Sequence, residues 1–121
     1  NACGLSCDTS GPAAYKNLLA ALSNSSLRGG KMITAAISAD DTPGGKIDAT
    51  DYLGASAYVN WFDVMTYDYF GAFTASGPTA PHSPLSSYAG IPTAGWDTQD
   101  SLAYYRSKGI PASKLSFGIG F

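Results

Sequence analysis

Residues 61–69 read Trp61-Phe-Asp-Val-Met-Thr-Tyr-Asp-Tyr69. The run is crowded with aromatic and β-branched side chains, which favour a pleated, half-buried backbone and predict a strand over 61–68. Period-two geometry sends Asp63, Met65 and Tyr67 to one face and Val64 and Thr66 to the other. The segment ends on a phenol and a carboxylate, Tyr67 and Asp68. Where a parallel strand ends at the mouth of a barrel, such a pair can hold a sugar amide or hydroxyl. From spacing alone, a core tyrosine followed by a turn-capping Asp is the competing reading.

Working outward, the periodicities alternate. Upstream, Pro12 suits the first position of a helix. Tyr15, Leu18, Leu19 and Leu22 then follow at i, i+3, i+4 and i+7, the spacing of a buried helical stripe. Residues 31–39 (KMITAAISA) form a nearly uncharged run expected to be a strand covered on both faces. Asp48 is expected to cap a helix reaching about Val59, with Asp51 in its first turn. Downstream, residues 69–96 are dense in Gly, Pro, Ser, Ala and Thr and carry no period, which marks a long functional loop. Asp97 then caps a helix that Gly109 and Pro111 terminate. The last strand spans 114–121, with Leu115, Phe117, Ile119 and Phe121 on one face and Ser116, Gly118 and Gly120 on the other.

The resulting order, α-β-α-β-loop-α-β, argues for parallel strands joined by crossover helices. A doubly wound dinucleotide fold would show G-x-G-x-x-G between strand and helix, and the pairs Gly29-Gly30 and Gly44-Gly45 do not fit it. A (β/α)8 TIM barrel fits better, because it places long loops after the strands' C-terminal ends. A barrel needs about 250 residues, and this chain of 121 supplies three strands. The fold class is therefore α/β, a partial (β/α)8 barrel.

Composition narrows the function classes. Charged residues make up 13% of the chain, about half the usual share of roughly 25%. The net charge of −2 offers no basic footprint for nucleic acid. No apolar run approaches the ~20 residues of a membrane helix. All nine acidic residues are Asp, so the chain has no Glu. Cys3 and Cys7 lack the partners of a closed zinc site and the C-x-x-C spacing of a redox pair; they read as a local disulfide in a secreted protein. His82, the single imidazole, sits in a chain without a G-x-S-x-G elbow and reads as an ordinary loop histidine. Asp40-Asp41 reads as a solvated turn. No metal and no cofactor are expected.

The segment Met65-Thr-Tyr-Asp-Tyr69, preceded by Trp61-Phe-Asp-Val64, resembles the sixth barrel strand of glycoside hydrolase family 18 chitinases. The likeness continues through Gly71, Pro81-His-Ser-Pro-Leu85 and Ser107-Lys-Gly-Ile-Pro-Ala-Ser-Lys-Leu115. It ends at Phe117-Gly-Ile-Gly-Phe121, which looks like the seventh strand. Residues 31–39 look like the fifth strand, and Asn1-Ala-Cys-Gly4 looks like the segment after the family's D-x-x-D-x-D-W-E-Y-P motif.

That resemblance implies substrate-assisted hydrolysis of chitin, an exception to the two-carboxylate scheme of most glycosidases. The substrate's N-acetyl oxygen attacks the anomeric carbon while a Glu protonates the leaving oxygen. Tyr67 and Asp68 are then the expected catalytic residues of this chain. Tyr67 would donate to the acetamido oxygen and Asp68 would hydrogen-bond the distorted sugar. Met65, Tyr69, Phe70 and Trp96 are the expected substrate-binding residues, with Phe73 a further stacking candidate. The likeness also implies that residues 1–121 are part of one catalytic barrel truncated at both ends, so that the acid lies before Asn1 and the isolated chain is inactive. The expected partner is chitin or a chitooligosaccharide, acted on by a secreted monomer, with no nucleic acid or membrane partner. A chitinase-like lectin and an endo-β-N-acetylglucosaminidase of the same family are the alternatives; the residue at the acid position separates the first.

Overall fold

The computed structural model describes residues 9–121. Cys3 and Cys7, with the disulfide expected between them, lie outside the described residues. Among the described residues three α-helices and three strands alternate: α1 (Ala13–Asn24), β1 (Thr34–Ser38), α2 (Tyr52–Ala55), β2 (Trp61–Met65), α3 (Thr98–Ser107) and β3 (Leu115–Phe117). The strands form one parallel sheet in the order of the sequence. Thr34 is paired with Trp61 and Ser38 with Met65, while Phe62 faces Leu115 and Val64 faces Phe117. The backbone N–H of Gly118 donates to the Val64 carbonyl at 2.9 Å, carrying the β2–β3 seam past the strand end.

Burial alternates along the central strand, as the period-two pattern requires. Phe62, Val64 and Thr66 are buried, and Ile37 and Ala39 join them from β1. The helices cover this face. The Tyr52 ring stands edge-on to Phe62 (5.8 Å between centroids) and to Tyr105 (5.4 Å), with Ala55 and Ile110 completing the cluster. Fully burying an apolar side chain of this size stabilises by roughly 1.5–3 kcal/mol. On the opposite face Thr34, Ala36 and Met65 are exposed, and the Trp61 indole N–H donates to Asp63 Oδ1 at 2.9 Å. Burial on both faces was expected of β1; among the described residues it is covered on one. Strand order without reversal and helices on a single face belong to a barrel wall, not to a doubly wound sheet.

Two local expectations need correction. The helix predicted over residues 48–59 is only four residues long, and Asp51, not Asp48, caps it, accepting from the Gly54 N–H at 2.8 Å. Asp48 instead receives Gly44 N–H (2.7 Å), the Tyr104 hydroxyl (2.7 Å) and the Lys108 ammonium (2.6 Å), clamping the loop to α3. Lys108 and these two donors hold its carboxyl down to about 2. The α1 stripe is buried in part: Leu19 is buried and Tyr15 half-buried, whereas Leu18 and Leu22 are exposed. The Asp97 cap is as expected, accepting from the Asp100 N–H at 2.9 Å.

Candidate functional site

Parallel strands that share one covered face present their C-terminal ends together, and here the ends of β1 and β2 line an open cleft of about 320 Å³. Met65 and Tyr67 reach it from the end of β2, on the face their spacing assigns them, and Asp68, out of phase with them, lines it too. Trp96 lines it from the end of the long loop, together with Tyr69 and Phe73. Tyr67 is half-buried, and no described residue hydrogen-bonds its hydroxyl, whereas Asp68 is exposed. Gly118 and Gly120 explain how the phenol fits. A Cβ on Gly118 would strike the Tyr67 ring, and one on Gly120 would strike the His82 imidazole.

Tyr69 and Phe70 sit differently from Tyr67. Both are buried. The Tyr69 hydroxyl lies 2.9 Å from the Asp97 carbonyl and 2.7 Å from Ser101 Oγ, which itself donates to the Ala39 carbonyl at 2.6 Å. Burial pushes this phenol up to about 12, so it stays protonated. With Tyr105 donating to the Ser38 carbonyl at 2.6 Å, these bonds tie α3 to the end of β1. Phe70 packs 5.4 Å from the Trp96 ring and does not itself line the cleft. The Trp96 indole N–H is buried without a hydrogen-bond partner among the described residues.

The sequence reading concentrated on β2 and missed the contribution of β1. Ser38, Ala39 and Asp40 also line the cleft, with Lys46 Nζ 3.8 Å from Asp40. The rule that barrel sites form from the ends of several strands was the available signal. Asp41 is not a freely solvated turn residue. Its carboxylate lies so close to Gly95 that a Cβ there would press on it, and the Gly95 φ of 84° independently favours glycine. Burial raises its carboxyl to about 6, opposed by its own backbone N–H and reinforced by Asp100, Asp40 and Asp97. The folded state therefore holds a proton that the unfolded chain has released, and stability falls as pH rises from about 4 to about 6. Asp41→Asn removes that loss. Solvent screening keeps the effect small: a melting temperature about 2 °C higher at pH 7 and little changed at pH 4.

The family model for glycosyl hydrolases family 18 matches residues 5–121. This chain belongs to that family. It is 55% identical over its whole length to chitinase C from Streptomyces lividans and, equally, to chitinase 63 from Streptomyces plicatus. It spans 20% of the length of each of these relatives. Among solved structures, catalytic domain 2 of the Group II chitinase of Ostrinia furnacalis, in complex with (NAG)5, superposes with a TM-score of 0.76. That match has 24% identity and covers 87% of this chain and 26% of the other. The fold is accordingly the family's α/β barrel in part, with the described sheet forming a segment of its wall.

Proposed function

We propose that the protein carrying this chain is a secreted, monomeric chitinase that cleaves β-1,4 linkages between N-acetylglucosamine units with retention of configuration. Residues 1–121 are part of its single catalytic barrel. The observation that carries this reading is the placement of Met65, Tyr67 and Asp68 together at the cleft mouth, within a chain 55% identical to Streptomyces chitinases.

In the first step the substrate's acetamido oxygen attacks the anomeric carbon as the glycosidic bond breaks. A carboxylic acid outside this chain, which contains no Glu, delivers its proton to the leaving oxygen. Tyr67 donates its hydroxyl hydrogen, which no described residue engages, to the acetamido oxygen and holds that oxygen in line with the anomeric carbon. Asp68 accepts from the distorted sugar, Met65 packs below it and Trp96 offers a face for ring stacking. Tyr69 and Phe70 hold that face in place. Water then opens the oxazolinium ion, returning the proton to the acid.

Incubating the full-length protein with chitin pentamer and reading the products by NMR tests this directly. Shorter oligomers appearing first as the β-anomer are the expected result, with none from the isolated 121-residue chain. Binding without turnover would replace this reading with the lectin alternative, and release of N-glycans without chitin cleavage would replace it with the endoglycosidase one.

A further inference from the structure

Asp68 adopts a φ of 59°, the one positive value among the described non-glycine residues. That conformation is disfavoured for L-residues, less so for Asp than for most, and here surrounding contacts hold it. It also interrupts the strand's alternation. Tyr67 and Tyr69 would share a face in an extended chain; both touch the cleft, yet Tyr67 is half-buried with no described partner for its hydroxyl while the Tyr69 hydroxyl is buried against Ser101.

The enforcing contacts come from three consecutive residues of the long loop. The His82 carbonyl accepts the Tyr69 N–H at 3.1 Å. Its imidazole Nδ1 accepts the Asp68 N–H at 3.4 Å and lies 3.5 Å from Asp68 Oδ1. Ser83 Oγ donates to the Thr66 carbonyl at 2.7 Å and accepts the Gly120 N–H at 3.2 Å, pinning the same loop to the ends of both β2 and β3. The Pro84 carbonyl accepts the Thr98 N–H at 3.0 Å, anchoring the strap to the start of α3. A Cβ at Gly120 would collide with the imidazole, so the β3 end supports the ring from behind.

The geometry points to His82 as a positioning residue: its Nδ1 and carbonyl hold Asp68 in the left-handed conformation that turns Tyr67 into the cleft. The kinetic consequence rests on the chitinase reading above; the conformational one does not. The loop histidine read from sequence as ordinary thus acts on the reaction through the backbone of another residue.

The test compares His82→Ala and His82→Asn in the full-length protein. The Asn amide oxygen can accept where Nδ1 does, whereas Ala cannot. His82→Ala is expected to lower kcat on chitin pentamer about tenfold, since small misplacements of reacting groups cost up to about a hundredfold, with KM within about twofold. Amide hydrogen exchange at Asp68 and Tyr69 should accelerate about tenfold as the held conformation opens. His82→Asn should recover both readouts to within about threefold, a rescue that general destabilisation would not produce. Wild-type exchange and turnover in His82→Ala would overturn the assignment, as would equal losses in the two variants. If the Ala variant does not fold, wild-type behaviour of the Asn variant supports the assignment and its failure overturns it. Absence of turnover in the wild-type protein would overturn the chitinase reading, while the exchange pattern would still decide the role of His82.

Discussion

Tyr67→Phe in the full-length protein lowers kcat on a chitin oligomer by about a hundredfold, the loss expected when the attacking oxygen is no longer held in line with the anomeric carbon. KM should move little, because the lost bond orients the attacking oxygen while the remaining sugar contacts still bind the substrate. The reason for expecting a clean result is structural. The phenol ring is packed beside Gly118 and its hydroxyl serves no described partner, so removing one oxygen leaves the fold intact. Single-turnover kinetics alongside a thermal melt make the check. Wild-type turnover would return Tyr67 to a packing role.

Phe62→Ala should show the opposite signature. Phe62 is fully buried at the centre of the middle strand, edge-on to Tyr52 and on the face away from the cleft. Removing the ring opens a cavity in a packed core and costs about 3–5 kcal/mol. Urea unfolding of the full-length protein should report a lowered midpoint with unchanged m-value. Turnover per folded molecule at low temperature should remain near wild type, because Asp63, Met65 and Tyr67 project from the other face. A loss of turnover without a loss of stability would contradict the assignment of faces.

How far the sequence could be read depended on how locally each feature was encoded. β2 was legible because its side chains alternate, and its ladder ends at Met65, three residues before the predicted limit. α3 was legible because Asp97, Gly109 and Pro111 punctuate it. The segment after Asp48 was not, because that carboxylate spends its bonds on Tyr104 and Lys108, far along the chain. Capping propensity cannot see a partner fifty residues away. Asp41 was misjudged for the same reason: its neighbours Gly95, Asp97 and Asp100 arrive through the fold. Among the aromatic residues, Tyr67 and Trp96 line the cleft as expected, but composition could not distinguish them from the buried Phe70.

By itself the sequence determined the alternation of helices and parallel strands, the long loop after β2, and the Met65–Asp68 segment that resembles the family's sixth strand. Those features are written in periodicity, caps and contiguous residues, which short stretches of chain specify alone. Tertiary structure decided which face of the sheet is covered, how β1 joins the cleft, and how His82 and Ser83 brace the turn at Asp68. These depend on groups brought together across tens of residues, where burial and hydrogen-bond geometry choose among contacts that local propensity leaves equivalent.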